Sequence, residues 1–467
     1  MNILDGCQGG SEVMTDLSAP DMPLLHEATV QEPLNLPDRW ITRYALFTPV
    51  LWVLGILLPA GILLLLWMLV RNRLSQPVTD KVVLSWLLVA CTQALALLIN
   101  WLHSSFSAGF FLRQLVSTTT GGWLVLAAVL AAGRYAHLKS ENLIRSSAIL
   151  AVYIIMLSVL AYGAYYVAHF DVYLRPSLLA HVLGSIIPPN TFHFSLSLAT
   201  LSPDETIFGL EIPRLILFFP WALILGFAGI GIFFITIHEP NPFWKTAGIA
   251  GALTAIIGSL GRISVAAFIM SLVFYLWMKS KSGHKWLLVS MFSVLIMLTV
   301  LIVGADPFEI MANISNSLLR SRPYSTDVRM LLNEETWKGI MESPIIGIGW
   351  QGERVFEDVP MPIGSHSTIL GTLYTGGILT FGAFCLAVVI TFLSLLKRSL
   401  NGDSRHTSAL AIFFALMVFT YTESIQLFIF PNLIIFFWIG WALSSGSEDA
   451  ERESGSIECA DAGNLRR

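Results

Sequence analysis

PIGSHSTILGTLYTGGILTFGAFCLAVVITFLSLL, residues Pro362–Leu396, is the stretch on which the fold turns. Between His366 and Lys397 it carries no charged side chain. At about 1.5 Å of rise per residue, such a run is longer than the roughly 30 Å of a bilayer core. It reads as a membrane span, and the rest of the chain agrees. Of 467 residues, 55% are hydrophobic and 12% are charged, against about 25% charged in soluble domains. Mean hydropathy is +0.70. A net charge of −4 gives no reason to expect a nucleic-acid partner.

About eleven apolar segments (ten to twelve) follow one another, at roughly 45–70, 82–102, 112–132, 147–168, 215–237, 246–260, 263–278, 286–304, 367–396, 408–421 and 425–445. The fold class expected is an all-α polytopic membrane protein. The sixth and seventh segments are short and flank the GSLGR hinge at Gly261 and Arg262, so they are two half-length spans or one broken element. Disordered tails are expected over 1–38 and 446–467. Between them lie a first set of membrane helices and a long loop (39–210), then a second membrane region (211–445) holding the loop 304–366 and a short helix.

The links alternate in charge. RNRLSQPVTDK (71–81), GRYAHLKSENLIR (133–145), KSKSGHK (279–285) and KRSLNGDSRH (397–406) are basic, with the weaker HEPNPFWK (238–245) in phase. The positive-inside rule assigns them to the cytoplasm. The links at 103–113, 169–213, 304–366, the hinge, and YTES at 421–424 then face outward. An odd number of spans puts the N-terminal tail outside, and one missed span would return it to the cytoplasm. The start, MNILDGCQGG, has no apolar stretch before Cys7, so neither a cleavable signal nor a lipoprotein signal is expected. Cys7, Cys91, Cys385 and Cys459 have no metal or disulfide spacing.

The outward side carries arginines: Arg214 in EIPRLILFFPW, Arg262 at the hinge, and Arg320, Arg322 and Arg329 in LLRSRPYSTDVRMLLNEETWKGIMESP. Arginine at a membrane boundary is costly unless wet, paired or ligand-bound. Its fork matches phosphate oxygens, so the cluster suits a lipid diphosphate. The plain alternative for each is a side chain snorkelling to headgroups. No acidic cluster offers a metal site, and neither metal nor other cofactor is expected. STDVRMLLNEETWKGIMESP reads as a helix capped by Asp327 or Thr326 and closed by Pro344, with Arg329, Asn333, Trp337 and Ile340 on one side. Trp337 reads as a substrate contact or an interfacial anchor. Ser365 is expected to cap the span that follows, which places His366 in its first turn, neutral and able to accept a proton. A polar residue at a helix start is the plain reading of His366. His169, His181 and His193 lie in an irregular loop and are weaker candidates.

Arg329, Trp337, PIIGIGW, His366 at the start of a span and Gly376-Gly377 beyond it together resemble the shared domain of O-antigen ligases and of O-antigen or exopolysaccharide polymerases. LGRIS and EIPRLILFFPWALILGFAG resemble that family's arginine-bearing elements, and the likeness covers roughly 210–445. It implies a fold like that of GT-C glycosyltransferases in the bacterial inner membrane, with a periplasmic active site. It implies metal-independent, inverting transfer of a glycan from undecaprenyl diphosphate to an acceptor hydroxyl. By the same likeness Arg214, Arg262 and Arg329 hold the diphosphate, and His366 contacts or activates the acceptor; Arg320 and Arg322, from the outward arginine cluster, are further candidate substrate contacts. Many members have Asn after this histidine, where this chain has Ser367. The partners expected are the lipid-linked glycan and membrane lipid, with a polysaccharide chain-length regulator as a further candidate. A polymerase is favoured over a ligase because long outer loops could hold a growing chain. A polyprenyl-linked sugar transporter or flippase would also want cations facing a diphosphate, and broken helices. An intramembrane protease is weaker still: Ser365 and Ser367 adjoin His366 and cannot aim at it from one helix.

Overall fold

The computed structural model describes residues 35–71, 80–167, 175–183, 197–198, 200–207, 210–280, 323–353, 361–400 and 403–444. The segment 286–304, Arg320, Arg322, His169, His193 and nearly all of both expected tails lie outside them. In chain order the helices are α1 (Leu36–Leu54), α2 (Leu57–Arg71), α3 (Lys81–Leu102), α4 (Ala108–Tyr135) and α5 (Ser140–Tyr166), then the one-turn α6 (Leu178–Leu183). After two small antiparallel strand pairs, the second being β3 (Leu201–Ile207) with β4 (Leu210–Leu215), come α7 (Ala222–Thr236), α8 (Pro242–Gly258) and α9 (Arg262–Lys279). Then follow α10 (Pro323–Glu342), α11 (Thr368–Leu400), α12 (Ser404–Phe419) and α13 (Leu433–Ala442). Among the described residues, five helices (α3, α4, α5, α9 and α11) are long and apolar enough to cross a membrane. Four further apolar helices are shorter. The protein is therefore an all-α membrane protein.

α7 and α13 lie at the centre, since almost every residue of both is buried. A helix apolar on all sides belongs inside the bundle. Small residues let backbones approach there. A Cβ on Gly133 would lie 2.5 Å from the Phe437 carbonyl, and one on Gly440 2.6 Å from that of Leu130. α7 follows directly on Trp221, its N-cap.

Two segments expected as single spans are broken. The first, 45–70, is a hairpin of α1 and α2. It turns at Gly55, whose φ of +80° needs glycine. Trp40 meets Trp67 at 6.0 Å between ring centroids, which makes the arms antiparallel. No dip in hydropathy marks the turn. The hairpin puts the start of α1 at the basic-link end, where Asp38 Oδ1 accepts the Lys139 amide at 3.1 Å. The chain thus enters α1 from that end, contrary to the odd count. The second break divides α11 at Gly377 (φ 63°). There the segment Pro344–Gly349 is stitched in. The amides of Ile348 and Gly349 donate to the carbonyls of Tyr374 and Thr375 at 2.7 and 2.9 Å. Those of Ile378 and Leu379 donate to Pro344 and Ile345 at 2.9 and 3.3 Å. Backbone groups freed by a break inside a membrane protein must be satisfied by protein. PIIGIGW and Gly376-Gly377 are two halves of one joint.

The described parts of the basic links gather at one end. Arg134 pairs with Asp80, and Arg145 reaches Glu239 with Nη2 at 2.7 Å and Nε at 3.2 Å. Arg405 reaches Glu141 at 3.0 Å, and Arg398 donates to the Ser444 carbonyl. α3, α8 and α12 start there behind Asp80, Asn241 and Asp403, whose side chains each accept a first-turn amide.

Candidate functional site

The opposite end holds the hinge, α10, the start of α11 and the YTES link. α10 begins at Pro323, ahead of the caps expected at Thr326 or Asp327, because proline suits the first helical position. Its packed face carries Leu332, Thr336, Gly339 and Ile340, with the half-buried Arg329 at its edge. Trp337 falls on the other flank and is 54% exposed, so it does not share a face with Arg329. The two positions are eight residues apart, about 80° round a helix.

His366 stands just outside α11. Ser365, expected as the cap, instead donates its hydroxyl to the Pro362 carbonyl at 2.6 Å. Ser367 is the cap, its oxygen accepting the Leu370 amide at 3.2 Å. Asparagine and serine are both good caps, so the departure at this position keeps the helix start intact. His366 therefore precedes the cap and takes φ 62°, left-handed backbone that few non-glycine residues adopt. The loop is pinned on both sides. The Gly364 amide donates to Thr336 Oγ1 at 3.0 Å, and Thr368 donates its amide and hydroxyl to the Glu423 carbonyl at 3.0 and 2.6 Å.

Glu423, from YTES, is the centre of the site and was not singled out from the sequence. It is 2% exposed. Arg329 Nη2 donates to its Oε1 at 2.9 Å, and Arg329 Nη1 makes a longer 3.5 Å contact with the Thr422 carbonyl. His366 Nδ1 faces Glu423 Oε2 at 4.0 Å. Trp221, at the head of α7, gives the carboxylate a further hydrogen bond, and the charge of Arg214 bears on it. Burial pushes the Glu423 carboxyl up to about 7, against the opposing pull of Arg329 and then Arg214. Burial, with the Arg329 charge second, holds His366 down at about 4, so the ring is neutral near pH 7. A lone carboxylate in a short outward link between two apolar spans was the signal available in the sequence.

Arg214, on β4, also donates Nε to the Ser259 carbonyl at 3.0 Å, bracing the hinge. There Leu260 turns through φ 49°, and Arg262 opens α9 as an exposed side chain. α7 and α9 start at Trp221 and Gly261 with no side-chain cap, so their first-turn amides keep their partial positive charge towards this end. The structure thus brings Arg214, Arg329 and His366 together around Glu423. It puts Arg262 on the turn that Arg214 braces and leaves Trp337 on an outer flank. His181 is exposed on α6. Among the described residues no group of three or more His, Cys, Asp or Glu could hold a metal ion.

These features define a polytopic helical membrane protein with a cationic, histidine-bearing site at the end away from its basic links. Residues 247–385 match the family described as O-antigen ligase, which bears out the resemblance carried by LGRIS, Arg329, PIIGIGW and His366. Members are glycosyltransferase-like enzymes of O-antigen assembly, and the match supports a ligase- or polymerase-type function in general for this chain. The matched range holds Arg262, Arg329 and His366, while Arg214 and Glu423 lie on either side of it. No curated protein matches the chain.

Proposed function

We propose that the protein is a polysaccharide polymerase of the bacterial inner membrane, acting at its periplasmic face. It transfers a glycan from undecaprenyl diphosphate to a sugar hydroxyl of an acceptor. The observation that carries this is the meeting of Arg329, Arg214 and His366 around one buried carboxylate, at the end that the positive-inside rule turns outward. Arginines preorganised at the leaving diphosphate stabilise charge as the anomeric C–O bond breaks. A neutral histidine takes the acceptor proton. Attack from the side opposite the diphosphate inverts the anomeric centre, and no metal is needed where guanidinium groups carry the charge. A ligase acting on lipid A core uses the same donor chemistry, and the match to a family described as O-antigen ligase favours that second reading.

The test is glycan analysis of a deletion strain complemented with wild type or His366→Ala at matched membrane levels. Long chains from wild type and single lipid-linked units from the variant support the polymerase. Long chains made in both strains but joined to lipid A core only with wild type assign the ligase. Identical products from both strains reduce His366 to the polar start of a helix.

A further inference from the structure

Glu423 offers its two oxygens to two different groups. Oε1 holds Arg329 at 2.9 Å, while Oε2 faces His366 Nδ1 at 4.0 Å, too far for a hydrogen bond. Nδ1 is enclosed and has no hydrogen-bond partner. A buried N–H without a partner costs about 1–3 kcal/mol. With Arg329 in place, the ring therefore keeps its proton on Nε2 and leaves Nδ1 as a bare lone pair. That tautomer is the wrong one for a base, because Nε2 is the nitrogen left to face a substrate.

We propose, on the reading of the site given above, that Glu423 is a positioning residue with two partners. It holds Arg329 while the diphosphate site is empty, and takes the Nδ1–H of His366 once a lipid diphosphate has drawn the guanidinium away.

The two partners are unequal in the way this exchange requires. Arg329 is tied to the carboxylate through one nitrogen only, its side chain is 32% exposed, and its second nitrogen reaches only a carbonyl at 3.5 Å. A diphosphate presents several anionic oxygens to the same fork and outbids one carboxylate. Glu423 stays put, since its carbonyl is bonded twice by Thr368 and its side chain is enclosed. A buried carboxylate that loses its cation must find another donor. The groups that face it are Arg329 from α10, His366 from the loop before α11, Arg214 from β4 and Trp221 from the head of α7. The histidine has an unpartnered nitrogen, Nδ1, directed at the carboxylate, and about 1 Å of side-chain movement closes the gap to hydrogen-bond length.

Once Glu423 accepts from Nδ1–H, the Nε2 lone pair is free. An orienting carboxylate of this kind sets the tautomer and then faces the imidazolium that forms. In the transfer step the acceptor hydroxyl gives its proton to Nε2, and its oxygen bonds to the anomeric carbon. The C–O bond to the diphosphate breaks, and the electron pair leaves with the lipid diphosphate held by Arg329. The base is armed only when the leaving group is bound, which protects a bound acceptor from idle deprotonation.

The experiment uses full-length protein, wild type and Glu423→Gln, Glu423→Asp, Arg329→Ala and His366→Ala. Affinity for undecaprenyl diphosphate is measured in nanodiscs. Glycan transfer is measured in membranes of the complemented strains from about pH 5.5 to about 8.5, with His366 and Glu423 as the groups under test. Glu423→Gln is expected to bind undecaprenyl diphosphate about 3–10-fold more tightly, because Arg329 is no longer shared with an anion. Its turnover is expected to fall about 10²-fold or more. In wild type the rate is expected to fall towards acid pH as the carboxyl, which burial raises to about 7 even with Arg329 beside it, takes a proton. That limb is absent in Glu423→Gln and present in Glu423→Asp, which also recovers part of the rate. If Glu423→Gln weakens binding and turnover together and keeps the acid limb, Glu423 is a brace for Arg329 and the exchange is wrong. Inactive His366→Ala beside a Glu423→Gln indistinguishable from wild type overturns the exchange alone. Fully active His366→Ala and Arg329→Ala overturn the proposed function as well.

Discussion

The two ends of the bundle use the same residue types to opposite effect. At the basic-link end, Asp80, Asn241 and Asp403 cap three of the helices that start there, and Arg134, Arg145 and Arg405 each meet a carboxylate. Those charges and those three helix starts are neutralised from within the chain. At the other end α7 and α9 start uncapped, and around Glu423 one carboxylate serves Arg329, Arg214 and His366. The comparison teaches that charge at a membrane boundary is not by itself a mark of function. What marks the outer site is that one buried carboxylate is shared by Arg329, Arg214 and His366, and that α7 and α9 open towards that end without a side-chain cap.

The largest way to break this contrast is Arg329→Ala. Glycan transfer should fall about 10²–10³-fold with the protein still in the membrane, because a charge-stabilising group is lost. Arg329→Lys should recover little, since a point charge lacks the fork. Normal product from Arg329→Ala at matched expression would remove the outer site's claim to chemistry. Next comes Gly377→Ala, which places a side chain on left-handed backbone against the Ile345 carbonyl. We expect about 2–4 kcal/mol of lost stability, read as a lower melting temperature in detergent. An unchanged melting temperature would mean that the joint relaxes freely. At the basic end, Arg145→Ala strips the buried Glu239 of its partner. Because Arg145 is itself 41% exposed, solvent screening limits the cost to about 1–2 kcal/mol. Transfer per folded molecule should not change; a loss of transfer would show that the two ends are coupled. The smallest effect is Asp403→Ala, about 1 kcal/mol for a lost cap, again with transfer intact.

Hydropathy made the all-α membrane character legible, and the described parts of the basic links gather at one end. Hydropathy missed Gly55, because the α1–α2 turn lies inside an unbroken apolar run. It missed the break at Gly377 because the groups that break frees are satisfied by residues some thirty positions earlier in the chain. In the site, Arg329 and His366 stood out for their residue type and position. Glu423 did not. A carboxylate in a four-residue link looks like ordinary surface until the fold encloses it, and its meaning lies in contacts across 57 and 94 positions, to His366 and Arg329. Ser365 and Ser367 were equally good caps on paper, and the left-handed turn at His366 decided between them.

The joint at Gly377 also constrains how the gene can change length. Ile345, Ile348 and Gly349 on one strand of the joint meet Tyr374, Thr375 and Leu379 on the other in a fixed register. A codon gained or lost within 344–349 or 374–379 would slip every one of those pairings, much as an indel shifts the register of a β-ladder. Closer to His366 the register is held a second time, where the Gly352 amide donates to the Ile363 carbonyl at 3.0 Å and the Ile363 amide to the Glu353 carbonyl at 3.3 Å. A change of length that spares both sets of pairings leaves intact the frame that holds His366.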